Sequence, residues 1–126
     1  MIEWLRQSIQ QQRQFVAKTL KRPLRDLSQR CIRVWFNDER LNAVLQDSLS
    51  TIPLCGLIYA VDVDGYQRSA NVTSQGIDLS CKGQDLSERP YLMTSFSFTG
   101  LVLSDVYLSR VNSRPCITAL QSVGPV

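Results

Sequence analysis

The chain of 126 residues contains no histidine at all. That absence removes imidazole acid–base chemistry, the Ser-His-Asp triad and the commonest zinc sites. Cysteine is present four times, at Cys31, Cys55, Cys81 and Cys116, but never as a CxxC pair. A four-cysteine zinc site needs closer pairs. Cys31, Cys55 and Cys116 have apolar neighbours and read as small core residues. Cys81 reads as a loop residue, and no disulfide framework is expected in a reducing compartment. Long apolar runs are lacking too. None approaches the roughly 18 residues that span a bilayer, and Cys55 to Val61 fits a buried strand. The opening "MIEWLRQSIQQQRQF" is interrupted by Gln and Arg and lacks the continuous apolar stretch of a signal peptide. The expectation is a cytoplasmic chain with no membrane segment of its own. The alternative is an extracytoplasmic sensor segment excised from a membrane receptor.

What remains is ordinary for a globular domain: 44% hydrophobic and 20% charged residues. The charge is uneven. Residues 1–40 carry nine Lys or Arg against four acids, and the remainder five against seven. A basic stripe of this kind is read first as a solvated helical face. A nucleic-acid surface or a dock for an acidic partner is the sharper reading, but no nucleic-acid fold signature surrounds these residues. Nucleic acid is therefore not an expected partner.

Residues 1–53 read as helical. Ile2, Leu5, Ile9, Val16 and Leu20 fall on one face. Ile2, Ile9 and Val16 keep a seven-residue step, which permits a homodimer seam, weakened by Gln12 at a seam position. Pro23 predicts a kink or break near Arg22. Leu24, Leu27, Cys31 and Val34 continue the pattern. Asn37 or Asp38 then offers an N-cap for a further helix with Leu41, Val44, Leu45 and Leu49 inside. Pro53 closes the helical half.

From Leu54 the pattern changes to strands. "LCGLIYAVDVDGYQRSANV" reads as strand, Asp64-Gly65 turn, strand. Asp62 and Asp64 alternate as in a calcium loop, but the other ligands of an EF-hand are missing. "TSQGIDLSCKGQD" reads as a polar loop. Ser87 is placed to cap a short helix near 87–95, with Pro90 in its first turn. "GLVLSDVYLS" and "CITALQSV" read as strands joined at "RVNSRP". Helices followed by a meander make one α+β domain with an antiparallel sheet.

"LIYAVDVDG", "GQDLSERPYL", "LSDVYLS" and "RPCITALQSV", in that order, resemble the Cache (PDC sensor) family of PAS-like sensor domains. The resemblance covers about residues 35–123. It implies long N-terminal helices packed on an antiparallel sheet of about five strands, with a small-molecule pocket on one face. It is closest to a stand-alone branch without membrane spans. Arg89 and Tyr91 match the family's Arg-Pro-Tyr element, whose side chains commonly meet the ligand. Tyr107, with Ser104 or Asp105 nearby, matches an aromatic strand position lining the pocket, and Tyr59 lies on the first strand. A guanidinium offers a two-pronged match to a carboxylate, so an anionic ligand is expected. Arg89 could instead pair with Asp85 or Asp105 to fasten its loop, and the tyrosines could be core.

Two departures qualify the resemblance. Leu92 and Gln84 stand where the amino-acid-binding branch has aromatics. Family members also continue into a strand carrying a GxxGxD-like element, whereas this chain stops at "GPV". The sheet is therefore expected to be incomplete at its C-terminal edge, and such an edge invites a second chain. The function expected is a non-catalytic ligand sensor without cofactor or metal. The alternative is a dimerisation or scaffold protein with a vestigial pocket. No spacing places a nucleophile beside a base, so no enzyme is expected.

Overall fold

A computed structural model describes residues 3–89, 100–104, 107–108, 115–116 and 118–123, with the backbone alone at residues 5–6, 107–108 and 115–116. The chain is α+β. Helix α1 spans Glu3–Arg33 and α2 spans Asp38–Leu49. Among the described residues, seven short strands follow: β1 Leu57–Ile58, β2 Asn71–Thr73, β3 Gly76–Asp78, β4 Leu101–Leu103, β5 Tyr107–Leu108, β6 Pro115–Cys116 and β7 Ala119–Gln121. They pair antiparallel as β1-β2-β3, β4-β7 and β5-β6. Among the described residues these ladders are separate, and a continuous sheet of about five strands is not shown.

Of the kink or break expected near Arg22, the break does not occur, and α1 is one helix of 31 residues, about 46 Å long. Pro23 removes one amide donor, at a typical cost of about 3 kcal/mol. Leu20, Leu24, Leu27 and Cys31 are all buried on the same face. Each fully buried leucine contributes roughly 2 kcal/mol, so packing on both sides of the proline outweighs the lost bond.

The turn at Val34–Asn37 brings α2 back beside α1. Asn37 caps α2, its side-chain oxygen accepting from the Arg40 amide at 3.1 Å. Leu41 and Leu45 on α2 meet the α1 leucines, with Ile52, Ala60 and Val72 completing the core. Arg30 donates to Ser48 Oγ across the helix pair at 2.9 Å. Arg68 fastens the corner from the sheet. It donates to the Trp35 carbonyl at 2.6 Å, pairs with Asp38 at 3.4 Å, and lies 5.3 Å from the centre of the Phe36 ring. Lys82 also pairs with Asp38, whose carboxyl is held below its ordinary pKa, first by the Lys82 hydrogen bond and then by the charges of Lys82 and Arg68.

The hairpin at Asp64-Gly65 forms as expected. The Gly65 amide donates to the Asp62 carbonyl and the Asp62 amide to the Tyr66 carbonyl. Gly65 adopts φ 89°, the left-handed conformation that this turn requires. Asp62 Oδ1 accepts from the Asp64 and Tyr66 amides, an Asx turn.

Below the turn the register slips. Val61 faces Gln67, yet Ile58 faces Val72, so the returning strand carries two extra residues. This is a β-bulge. Ala60 O accepts from both the Arg68 and Ser69 amides. The displaced groups find side-chain partners: the Ala60 amide donates to Ser69 Oγ at 2.7 Å, and the Ala70 amide to Asn42 Oδ1 at 3.0 Å. Gln67 Nε2 donates to the Ser69 carbonyl and to Asn71 Oδ1. Gln67, Ser69 and Asn42 are buried. Among the described residues, no buried side-chain polar atom is left without a partner.

The stretch expected as a polar loop, "TSQGIDLSCKGQD", is partly ordered strand. β3 folds back on β2 with Thr73 opposite Gly76, and a 3-10 turn, Leu79–Cys81, follows. Val72 opposite Ile77 supplies the cross-strand pair that the Gly and Ser content of this stretch concealed.

Candidate functional site

The two faces of the strand layer are covered differently. Ile58, Ala60, Leu101 and Ala119 pack toward the helices. Tyr59, Val61 and Leu120 gather instead around Leu86, which is only 3% exposed. Alternation along a strand sends neighbouring side chains to opposite faces. Tyr59 was expected on the first strand but stands one residue past β1, in the cluster separate from the α1–α2 core, with Leu86 against it. The segment 83–86 is held by the return arm of the hairpin: Gly83 N donates to Gln67 O, Gln67 N to Gln84 O, and Leu86 N to Gly65 O.

Leu86 opens a turn that closes with the Arg89 amide donating to the Leu86 carbonyl at 2.9 Å. Asp85, not Ser87, is the side chain that organises this turn. Its Oδ1 accepts from the Ser87 amide at 2.9 Å and the Ser87 hydroxyl at 2.7 Å. Those two bonds hold the Asp85 carboxyl below its ordinary pKa. The Ser87 hydroxyl thus donates to Asp85. The helix expected near 87–95 runs outside the described residues.

Arg89 is half-buried at the end of this turn. Among the described residues its guanidinium makes no ion pair; of the two acids expected as partners, Asp85 accepts from Ser87 and Asp105 lies outside the described residues. Tyr59 is half-buried against Leu86 and Leu120. Ser104 is also half-buried, and its hydroxyl accepts from the Thr118 amide at 2.9 Å, closing the β4–β7 hairpin. Tyr107 places its backbone in β5, opposite Cys116. The Tyr107 side chain, Tyr91 and Asp105 lie outside the described residues. The structure thus brings Tyr59 to the segment that leads into Arg89, and it gives Ser104 a hairpin-closing bond.

Cysteine chemistry is subdued here. Cys31 is buried in the helix interface, and burial pushes its thiol up to about 11. Burial likewise raises Cys55, which donates to the Leu57 carbonyl. Cys81 sits half-buried in the 3-10 turn rather than in an open loop. Among the described residues no three His, Cys, Asp or Glu side chains are gathered as metal ligands would be. None of the described helices is long and apolar enough to cross a membrane.

A second concave feature lies on the helix side, and the sequence reading passed over it. Lys18, Lys21 and Arg25 form one wall of a cleft of about 510 Å³, with Gly100, Leu101 and Gln121 opposite. Their spacing of three and four residues is a one-face signature that was available in the sequence. Arg13 stands on the same helix. Its guanidinium donates to the Ser104 carbonyl at 2.9 Å and the Leu103 carbonyl at 3.2 Å, fastening α1 to β4.

Compared with protein-family models, curated proteins and solved structures, the chain matches none.

Proposed function

We propose that this chain is a non-catalytic sensing module that binds a small anionic molecule at the Arg89 end of the Tyr59–Leu86 face. The observation that carries this reading is Arg89 itself. It is half-buried, and among the described residues no carboxylate neutralises it. A guanidinium in that setting favours a two-pronged carboxylate partner. In this reading the hairpins complete a five-stranded PAS-like sheet, as the Cache resemblance implies. Tyr91 and Tyr107 close the cavity, with Ser104 and Asp105 at its rim. The bond from Arg13 to β4 links the strand layer to α1, so a shift of β4 on binding would move the helix that a partner reads.

A thermal-shift screen against small carboxylates tests it. Ligand at about 100 times its Kd adds about 2.7 kcal/mol of stability. Arg89→Ala should abolish the response while leaving the unliganded melting temperature nearly unchanged. A carboxylate response that survives in Arg89→Ala refutes the assignment.

One observation favours the scaffold reading. The first turns of α1 project Trp4 and Phe15, each 66% exposed, and Ile9, 46% exposed. Only Ile9 lies on the seam anticipated from the seven-residue step. A dimer that dissociates in Ile9→Glu, together with a silent ligand screen, would favour that reading.

A further inference from the structure

We infer that the cleft between α1 and the outer edge of β4 is a second anion site, shaped for the phosphates of a compact di- or triphosphate. It lies on the helix side of the strand layer, whereas Arg89 follows the segment covering the opposite face. The inference does not depend on the Arg89 reading.

Three cations share one wall. Lys18, Lys21 and Arg25 are all exposed, and among the described residues none has an ion-pair or side-chain hydrogen-bond partner. The nearest acid along the helix, Asp26, is exposed and likewise joins no ion pair there. The three positions span about 10 Å along the helix axis. One carboxylate can answer only one of them at close range, whereas a chain of two or three phosphates can answer all three. The cleft volume of about 510 Å³ falls within the usual range for small-molecule sites.

The opposite wall contributes backbone. The Ser122 amide donates to the Gly100 carbonyl, and the Ser104 amide to the Thr118 carbonyl. The Gly100 carbonyl and the Ser104 amide therefore face β7, and alternation turns the backbone groups of Leu101 and Leu103 the other way. Arg13 marks that direction by donating to the Leu103 carbonyl. The Leu101 amide thus points away from β7, on the edge that Arg13 meets.

Arg13 also decides the size of the ligand. An extended acidic peptide would have to pair along the β4 edge. The Arg13 guanidinium already occupies that edge at Leu103 and Ser104. Among the described residues the Leu101 end of that edge is not occupied in this way, which suits a compact ligand.

Titration calorimetry with sodium tripolyphosphate on the full chain is the test, with ATP as a parallel probe. Exposed charge pairs contribute up to ~5-fold each, so Lys21→Gln/Arg25→Gln should weaken binding by up to ~25-fold. Arg33→Gln/Arg40→Gln removes the same charge elsewhere and should change affinity by less than ~2-fold, since charges beyond a Debye length are screened. Arg89→Ala should leave affinity unchanged. Equal affinity for tripolyphosphate and ATP assigns the site to phosphates alone, and tighter ATP binding adds a nucleoside contact. Circular dichroism confirms that each variant is folded. Three outcomes overturn the inference: no tripolyphosphate binding by the wild-type chain, equal loss in the two double variants, or loss in Arg89→Ala. Preference for a single-stranded oligonucleotide, weakened as much by the Arg33/Arg40 pair, would overturn it too.

Discussion

Asn42→Ala removes a single acceptor from the floor of the bulged hairpin. Asn42 is 8% exposed, and its Oδ1 receives the amide of Ala70, which is 0% exposed. Alanine fits α2 at least as well as asparagine, so helix propensity cannot supply a loss. The substitution strands a fully buried backbone donor, which costs about 1–3 kcal/mol. Taking about 2 kcal/mol and an unfolding entropy of roughly 2.1 cal/mol/K per residue, a chain of 126 residues should melt about 8 °C lower. Chemical denaturation with two probes would measure the free energy, and calorimetry the melting temperature. Gln46→Ala, on the exposed side of the same helix, is the control and should fall within about 0.5 kcal/mol of wild type. Ser69→Ala strands the Ala60 amide in the same bulge. The two losses should therefore not add, and a double-mutant cycle should return a coupling of at least about 0.5 kcal/mol. If Asn42→Ala melts within 2 °C of wild type by this ~8 °C reckoning, the bulge is not held by α2 and the reasoning fails.

Two further predictions concern titration. Asp38, Asp78 and Asp85 all have carboxyl pKa values lowered by hydrogen bonds, from Lys82, Ser80 and Ser87 respectively. A carboxylate depressed in the folded state stabilises above its unfolded pKa, and that contribution is lost as pH falls through the folded value. Stability should therefore decline below about pH 4, and Asp38→Asn should flatten the decline; an unchanged acid limb counts against the Lys82 contact. Cys31, with its thiol raised to about 11, should resist thiol reagents at pH 8 until the chain unfolds. Labelling of Cys31 in native buffer at the rate of an exposed thiol would show that α1 and α2 part readily.

The helical half of the fold was legible because burial and periodicity agree there. Leu41 and Leu45 stand where the 3.6-residue pattern puts them, and Asn37 caps α2 as its side chain and position suggest. The break that Pro23 allowed does not occur, because the local rule omits the tertiary term. Whether a helix survives a proline depends on what its flanking turns bury, and the partners of Leu20 and Leu24 lie far along the chain. β3 was missed for a related reason. Its strand character comes from Val72 opposite Ile77, a pairing set by the fold, whereas the local sequence supplies only Gly, Ser and Gln. The bulge had no local signature either, since its second acceptor comes from α2.

Site residues divide along the same line. Tyr59 could be assigned a face once its strand was recognised, because alternation needs no knowledge of the partner. Arg89 was legible as a residue standing at a turn; that, among the described residues, it joins no ion pair while Asp85 accepts from Ser87 was not. Two residues apart in sequence, those side chains could equally have been read as a cap and a salt-bridge acceptor. The cations of α1 show the reverse case. Their spacing was visible, but a helical basic stripe is ordinarily solvated, and only the approach of β4 turns one part of it into a cleft. Arg13 belongs to the same stripe and points to the same lesson. Its charge suggested solvent, yet its two hydrogen bonds make it the attachment between helix and hairpin. What distinguishes Arg13 from Lys18 and Lys21 is the outer edge of an antiparallel strand some ninety residues later. That edge meets a donor at Leu103, and among the described residues the cleft opens at Leu101.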